Sequence, residues 1–291
     1  VLATTEVDED GTETRTYPYG SLFSHVIGYN DSQFGKTGLE SAQNFDLLTS
    51  NAFFMEKIQN EFKGEKDQGD TVVTTLDAEL QQAAYDALGE NKGAVIVMEA
   101  DTGKILTLVS KPDFDPNTLA ENWEILNTDE ENSPLLNRAT NGSYAPGSVF
   151  KIVTALAYMR QDTDYNSYSY DCQGSITEDN VTIRCFNGTV HGYEDLRSSF
   201  ANSCNASFAN IGLSLDVDGY RETAESLLFN KKLPSVMDYT KSSFVLDAKS
   251  GSAEIMMTAM GQGKTMVSPY HMALITETIA NGGTLMQPYY V

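Results

Sequence analysis

A serine and a lysine stand three positions apart in the stretch Tyr-Ala-Pro-Gly-Ser-Val-Phe-Lys-Ile of residues 144–152. The Pro-Gly pair predicts a turn, and residues 149–159 are apolar around the whole helical wheel, so we expect a helix that begins at Ser148 and is buried on all sides. Burial disfavours the ammonium form of Lys151 and lowers its pKa. A spacing of three places both side chains on one helix face. The pair therefore predicts a nucleophilic Ser148 with Lys151 as its base.

The helix start adds a second property. Backbone N–H groups in the first turn lack helical partners and carry the positive end of the helix dipole, which favours an oxyanion beside Ser148. The simpler alternative is a serine that caps the helix and a lysine that reaches solvent, because Ser-x-x-Lys recurs by chance. The Pro-Gly turn and the unbroken apolarity around Lys151 favour the catalytic interpretation.

Composition limits the classes of function. The chain has 291 residues, 41% of them hydrophobic, which is enough for one large domain or two unequal domains. A formal charge of −22 and a pI near 4.3 argue against binding nucleic acid or anionic lipid through charge. No apolar run reaches the roughly 18–20 residues of a bilayer span, and the first residues resemble no secretory signal. Because the sequence begins with Val1 and not methionine, we expect it to be part of a longer protein.

The cysteines and histidines do not predict a metal site or a catalytic triad. Three cysteines make no disulfide framework, and no Cys-x-x-Cys spacing suggests zinc. Cys172 and Cys185 bracket a short polar segment, so a disulfide between them in an oxidising compartment and two free thiols are both open. His25, His191 and His271 are scattered without a neighbouring acid, and we expect them to be structural. No metal or cofactor is predicted.

Hydrophobic periodicity predicts a mixture of helices and strands. Asp77 should cap a helix over residues 78–88, and residues 94–98 and 104–109 should form a hairpin. One short helix is expected near Trp123 in a long polar loop. Further predicted segments are strands over residues 71–76 and 284–291 and helices over residues 208–215, 219–229, 254–260 and 269–280.

Residues 1–68 differ in pattern from the remainder. An acidic beginning and a turn-rich segment lead to residues 41–62, which are amphipathic and predict one or two helices. Residues 63–70 are charged and interrupted by glycine, as at a domain boundary. We therefore expect a small domain over residues 1–68 and a larger one over residues 69–291.

A second motif places Ser148 in a family context. The Ser-Cys-Asn of residues 203–205 follows Ser148-x-x-Lys151 by about fifty residues, and the pair of motifs resembles that of penicillin-binding proteins and serine β-lactamases. With the Gly-Gln-Gly of residues 261–263 and other patterns, the chain is similar to class B penicillin-binding proteins over nearly its whole length. The resemblance implies an α+β transpeptidase domain, an antiparallel sheet flanked by an all-helical subdomain, preceded by part of a dimerisation-type pedestal domain.

The same resemblance implies a peptidoglycan D,D-transpeptidase. Ser148 would attack the D-Ala-D-Ala carbonyl of a stem peptide, an amine of a neighbouring stem would resolve the acyl-enzyme into a cross-link, and β-lactams would mimic the dipeptide. Lys151 would activate Ser148, while Ser203 and Asn205 would relay the proton and hold the substrate amide. A hydroxyl and an amide suit this role because neither adds charge beside Lys151. For Asn205, the alternative is a helix N-cap.

One motif of the resemblance is missing from its expected place. A Lys-Thr-Gly strand should follow residues 261–263, but the sequence reaches Val291 first, and the Lys-Thr-Gly of residues 36–38 precedes Ser148. That strand would supply a lysine for the substrate carboxylate and an oxyanion donor worth roughly 10²–10³ in rate. We therefore expect a chain truncated before this motif, inactive or impaired alone, from a competent parent protein.

Two alternative functions stay open at this point: a β-lactamase or β-lactam sensor on the same fold, and a non-catalytic wall-assembly module. The resemblance also implies partners, namely a membrane glycosyltransferase and division or elongation proteins, with no nucleic acid. It further implies attachment to the extracytoplasmic face of a bacterial membrane through an N-terminal anchor outside this chain. The lifetime of an adduct on Ser148 separates these functions, because a transpeptidase holds it for long and a β-lactamase turns it over rapidly.

Overall fold

The structure is a computed structural model and describes residues 1–49 and 69–291. These residues form two compact units. Unit 1 comprises Val1–Gly142, Pro234–Thr240 and Pro269–Val291, and unit 2 comprises Ser143–Leu233 and Lys241–Ser268. The chain therefore leaves unit 1 and returns to it twice.

The strands pair as antiparallel two-stranded sheets: β1 with β2, β3 with β4, β5 with β6, β8 with β9, and β7 with β10. Their bounds are β1 Thr4–Val7, β2 Glu13–Thr16, β3 Asn30–Asp31, β4 Gly35–Lys36, β5 Gly93–Met98, β6 Ile105–Lys111, β7 Tyr170–Cys172, β8 Ser175–Glu178, β9 Val181–Arg184 and β10 Gly192–Glu194.

Helices alternate with these sheets, so the mixed character of the predicted fold is confirmed. The α-helices of the described ranges are α1 Ser24–Ile27, α2 Gly38–Ala42, α3 Asn44–Leu48, α4 Ala78–Leu88, α5 Leu119–Thr128, α6 Lys151–Gln161, α7 Leu196–Ala201, α8 Asn205–Ser214, α9 Val217–Ser226, α10 Ser252–Ala259 and α11 Pro269–Ala280. None of them has the length and hydropathy that crossing a bilayer requires.

The core of unit 1 is built on the hairpin β5–β6, which α4 and α11 pack against. Asp77 begins α4 as predicted, because its carboxylate accepts hydrogen bonds from the N–H groups of Glu79 and Leu80, both at 2.9 Å. The fully buried Gln81 ties α4 to β6, since its amide donates to the Leu108 carbonyl at 2.9 Å and accepts from the Leu108 N–H at 3.0 Å. The predicted helix and hairpin are both confirmed.

The predicted strand over residues 71–76 is wrong. This segment has no regular secondary structure, and its hydrogen bonds do not form a ladder. The Thr75 N–H donates to the Tyr290 carbonyl at 2.8 Å, and its hydroxyl donates to the Ile105 carbonyl at 2.7 Å. Of the predicted strand over residues 284–291, only Tyr289 makes a bridge, with Lys104. The β-branched residues of these two segments therefore do not join a regular sheet.

The beginning of unit 1 is held by a partly buried ion pair. The Arg15 guanidinium lies 2.7 Å from the carboxylate of Glu40, which is buried on α2. The Arg15 contact joins β2 to α2 across twenty-five residues. The end of α2 and the helix α3 fall within the helical stretch predicted for residues 41–62. Residues 50–62 of that stretch and residues 63–68 lie outside the described residues.

Unit 2 is mainly helical, and its core surrounds α6. Phe150 is fully buried just before α6, and its ring packs against those of Tyr220, Phe229 and Phe244. One turn later the Thr154 hydroxyl lies 2.6 Å from the Tyr220 hydroxyl and donates to the Ala259 carbonyl at 2.8 Å. These contacts fix the position of α6 and therefore of the residues at its beginning.

Candidate active site

Ser148 lies at the beginning of α6, in a single 3₁₀ turn over Gly147–Phe150 that leads directly into the helix at Lys151. The predicted position of Ser148 at a helix start is therefore confirmed. Burial on all sides of this helix is wrong, because Val149 and Met159 are 49% and 40% exposed. Ser148 itself is exposed, whereas Lys151 is 1% exposed. A substrate can thus reach the hydroxyl while the amine stays shielded.

A contact between two backbones holds the turn before Ser148. The Gly147 N–H donates to the Gly261 carbonyl at 2.8 Å, and both glycines have positive φ, at 63° and 77°. A Cβ atom on Gly261 would lie 1.9 Å from the Gly147 carbonyl oxygen. Only glycine fits this position, because any side chain would push the Ser148 turn away.

A second turn, between α7 and α8, positions Ser203 and Asn205 in the same site as Ser148. Ser203 has φ 52°, a left-handed conformation that costs a non-glycine residue about 1–3 kcal/mol unless its surroundings enforce it. Hydrogen bonds from the Ser203 N–H to the Phe200 carbonyl and from the Cys204 N–H to the Ser199 carbonyl, at 3.0 and 2.9 Å, enforce it here. The backbone bend directs both oxygens of Ser203 to one neighbour.

That neighbour is the amine of Lys151. Its Nζ lies 2.6 Å from the Ser203 carbonyl oxygen, 2.9 Å from the Ser203 hydroxyl and 2.8 Å from Asn205 Oδ1. The Ser148 hydroxyl is at 3.5 Å, the upper limit of a hydrogen bond. The structure thus brings together all four residues that the sequence selected, and all four belong to unit 2.

The electrostatics of the site raise the neutral fraction of Lys151 by lowering its pKa. Loss of hydration on burial lowers the pKa of Lys151 from 10.5 to about 8, against the opposing effect of Cys204, Cys185 and Glu194. Its close neighbours are hydroxyl, carbonyl and amide groups, and no carboxylate of the described residues lies at hydrogen-bond distance. A base whose pKa lies near the working pH takes up a proton and releases it again with little cost.

The amide of Asn205 is oriented by a backbone carbonyl. Its Nδ2 donates to the Arg184 carbonyl at 3.0 Å, so Oδ1 must face Lys151. The N-cap of α8 is Cys204, whose sulfur accepts from the Ser207 N–H at 3.4 Å. The capping interpretation of Asn205 is therefore wrong, and its side chain is directed to Lys151.

Two further residues shape the site, and the sequence predicts a role in it for neither of them. Gly261 supports the Ser148 turn, a role that the family-like pattern of its Gly-Gln-Gly segment does not specify. Arg184 acts through its backbone carbonyl, for which a side-chain pattern carries no signal.

Among the histidines, His25 agrees with the prediction of a structural role, since burial lowers its pKa to about 4 and its Nε2 lies 3.2 Å from the Pro112 carbonyl oxygen.

The three cysteines lie together in unit 2 as free thiols. The sulfurs of Cys172 and Cys185 are 3.7 Å apart, compared with about 2.05 Å in a disulfide. Cys185 and Cys204 are also 3.7 Å apart, and His191 Nδ1 lies 3.5 Å from the Cys172 sulfur. The sequence left the pairing of Cys172 with Cys185 open, and the structure shows a four-residue cluster in place of an isolated pair.

The family model for the penicillin binding protein transpeptidase domain matches residues 93–291, and that for the penicillin binding protein A dimerisation domain matches residues 1–72. The chain belongs to the penicillin-binding protein transpeptidase family. The predicted family and the α+β transpeptidase fold are thereby confirmed.

Individual relatives of this penicillin-binding protein agree with the family. The peptidoglycan D,D-transpeptidase PbpA of Mycolicibacterium smegmatis is 33% identical, with 95% of this chain and 60% of the relative covered. The imipenem acyl-enzyme of penicillin-binding protein A from M. tuberculosis is similar with a TM-score of 0.90 and 30% identity, over 100% of this chain and 70% of that one. The chain spans about 60% of the length of the curated PbpA relatives.

A third relative is known in a complex. Penicillin-binding protein PBP2 from Helicobacter pylori, in the complex with MreC, is similar with a TM-score of 0.80 and 25% identity, over 96% of this chain and 59% of that one.

Proposed function

We propose that this chain carries the acylation site of a peptidoglycan D,D-transpeptidase. The observation that carries the proposal is the convergence of Ser148, Ser203 and Asn205 on the amine of Lys151. The substrate is a stem peptide ending in D-Ala-D-Ala, and β-lactam antibiotics acylate the same serine. Support comes from the ceftriaxone, imipenem and penicillin G acyl-enzymes of penicillin-binding protein A from M. tuberculosis.

In the first half-reaction the neutral amine of Lys151 takes the hydroxyl proton of Ser148 as the serine oxygen attacks the carbonyl carbon of the penultimate D-Ala. A neutral amine has two N–H groups, which donate hydrogen bonds to the Ser203 carbonyl and to Asn205 Oδ1. Its lone pair is then left for the hydroxyl groups. The Ser148 contact of 3.5 Å is long, as catalytic hydrogen bonds often are before substrate tightens them.

Breaking the bond to the terminal D-Ala requires a proton on its nitrogen. The Ser203 hydroxyl, 2.9 Å from Nζ, donates that proton and receives another from the Lys151 ammonium. Free D-Ala leaves, Lys151 is neutral again and Ser148 carries the acyl group. An amine of a neighbouring stem then attacks the ester, and its proton returns to the Ser148 oxygen through Lys151.

The negative oxygen of the tetrahedral intermediate lies next to the first turn of α6. N–H groups in a first helical turn have no partner four residues earlier, and the dipole of the helix is positive at this end. The Gly147 N–H is already bound to the Gly261 carbonyl, so the Ser148 N–H is the donor we assign to the oxyanion. One such donor is worth roughly 10²–10³ in rate.

The domain division is also part of the proposal. We assign residues 1–68 to a pedestal domain and residues 69–291 to the transpeptidase domain. The similarity of residues 1–72 to a dimerisation domain supports this division.

The partners and location are proposed on the same basis. Elongation proteins are supported as partners by the complex of the H. pylori relative with MreC. We also propose a membrane glycosyltransferase as a partner, because it would supply the uncross-linked glycan that the enzyme acts on. The proposed location is the extracytoplasmic face of the bacterial membrane, where that substrate is used.

A fluorescent penicillin tests the acylation site. With the protein in its natural full length, we expect one adduct per chain, located on the peptide that contains Ser148 by mass spectrometry and released slowly. Ser148→Ala should abolish the adduct, whereas the matched control Ser198→Ala, on the distinct helix α7, should retain it. An adduct that survives Ser148→Ala would contradict the assigned nucleophile, and rapid turnover of the adduct would indicate a β-lactamase.

A further inference from the structure

Three thiols and one imidazole meet in unit 2, in a group that we name the cysteine–histidine cluster: Cys172, Cys185, His191 and Cys204. Their Sγ and Nδ1 atoms all lie within 4.8 Å of one another. The three cysteines are at most 4% exposed, and His191 is half-buried. The mechanism of acyl transfer uses none of these four side chains.

The fold assembles the cluster from four elements. Cys172 ends β7, and His191 directly precedes β10, whose Gly192 pairs with Cys172 in the sheet. Cys185 follows the last residue of β9, and Cys204 is the N-cap of α8. In sequence the gaps are 13, 6 and 13 positions, which match no short zinc motif. The two antiparallel strand pairings and the start of α8 bring the four residues together, although their sequence spacing does not predict it.

Three of the six distances between the ligand atoms match those of a tetrahedral metal site. Zinc holds thiolate sulfur at about 2.3 Å and imidazole nitrogen at about 2.0–2.1 Å, so tetrahedral angles put two sulfurs about 3.8 Å apart and sulfur and nitrogen about 3.6 Å apart. Two of the three sulfur–sulfur distances are 3.7 Å, one of the three sulfur–nitrogen distances is 3.5 Å, and every pair of ligand atoms lies within 4.8 Å. A disulfide needs about 2.05 Å and leaves one thiol and the imidazole unused.

Hydrogen bonds to the sulfurs agree with thiolates. The Gly174 N–H donates to the Cys172 sulfur and the Ser207 N–H donates to the Cys204 sulfur, both at 3.4 Å. Apolar side chains of Tyr170 and Ile176 pack against the cysteines. Donors to sulfur and a shielded surrounding are what a closed structural zinc site needs.

We propose that the cysteine–histidine cluster binds one Zn²⁺ ion, with three thiolates and His191 Nδ1 as its ligands. Four protein ligands complete the coordination of zinc, so the site is structural and leaves no position for a substrate. Zinc is favoured over harder cations because thiolate and imidazole are ligands for soft and borderline metals.

The position of the ligands links the metal to the acylation site, and this part of the inference rests on the proposed function. Cys204 stands between Ser203 and Asn205, the two residues that contact the Lys151 amine. Cys185 directly follows Arg184, whose carbonyl orients the Asn205 amide. One ion would thus hold both backbone segments that place groups around Lys151.

Metal analysis of the purified protein tests the site. Native mass spectrometry and elemental analysis after gel filtration should give one zinc per chain, and cobalt exchange should give the visible absorption of tetrahedral thiolate coordination. Cys172→Ser and His191→Ala should lose the metal, while His25→Gln, a buried histidine of unit 1, should keep it. A wild-type protein without metal that has three titratable thiols, or that is lighter by two hydrogens through a disulfide, would overturn the proposal.

The link to acylation needs a separate measurement. Removal of zinc by a chelator should lower the rate of labelling by saturating fluorescent penicillin at least about tenfold while the far-ultraviolet circular dichroism of the helices persists, and added zinc should restore it. Unchanged labelling of metal-free protein would contradict the link. If the protein contained one zinc per chain but fluorescent penicillin never labelled it, the metal site would be supported and the proposed function contradicted.

Discussion

The pH dependence of acylation should report the protonation of Lys151. At pH 7 a lysine with the ordinary pKa of 10.5 is neutral in only about 0.03% of molecules, whereas a pKa of about 8 makes about 10% neutral. Burial therefore supplies about 300-fold more of the reactive base at that pH. Below a pH of about 8 the acylation rate should fall close to tenfold per pH unit, and above it the rate should level off.

The assay is stopped-flow or quenched labelling with a fluorescent penicillin at saturating concentration, from about pH 5.5 to pH 9.5. Lys151→Arg is the decisive variant because guanidinium keeps the charge but never becomes a base. We expect it to lose about 10²–10⁴ in rate, the usual value of a positioned general base.

Lys151→Met checks that a neutral side chain of similar length gives an equally large loss. A profile that is flat over this range, or a Lys151→Arg protein that acylates at the wild-type rate, would refute the assignment of Lys151 as a base.

Three further substitutions test the surroundings of the site. Asn205→Ala removes an acceptor from the buried amine of Lys151 and should cost about 1.5–3 kcal/mol, or roughly 10–150-fold in acylation rate; unaltered kinetics would refute its contact with the lysine. Gly261→Ala places a Cβ atom 1.9 Å from the Gly147 carbonyl oxygen, so the melting temperature and the labelling rate should both fall. Wild-type values of both would show that the turn can move to make room for the Cβ atom. Thr154→Val leaves the buried Tyr220 hydroxyl without its 2.6 Å neighbour and should lower the free energy of unfolding by about 1–3 kcal/mol in urea denaturation; an unchanged midpoint would contradict that estimate.

The parts of the site that are close in sequence could be predicted from local physics. Ser148 and Lys151 are separated by less than one helical turn, so periodicity alone places them on one face. Asp77 and the helix after it were predicted to the residue, because a capping carboxylate is a local signal.

Contacts between distant segments required more than local patterns. Ser203 and Asn205 were connected to Ser148 only through the resemblance to a family motif, since nothing in their own segment points to Lys151. The sequence predicts that α8 starts at Phe208, but the helix starts at Asn205, because its N-cap is Cys204 and cysteine is an unusual N-cap. The cysteine–histidine cluster depends on two strand pairings that single-sequence patterns do not define.

The segment over residues 71–76 shows the opposite error. Its threonines and valines have high β propensity, but propensity reflects the fit to a half-buried sheet surface and does not by itself create a partner strand. The Thr75 side chain binds the Ile105 carbonyl, so the segment is fixed by individual hydrogen bonds. Tertiary contacts therefore determined its structure.

The most direct test of the proposed transpeptidase is a stem pentapeptide substrate with the protein in its natural full length. Intact-protein mass spectrometry after rapid quenching should show one acyl adduct, lacking the terminal D-Ala and attached to Ser148, together with release of one D-Ala per adduct. Addition of an acceptor amine should convert the adduct into cross-linked peptide. D-Ala release without an adduct on Ser148, or an adduct on another residue, would contradict the account.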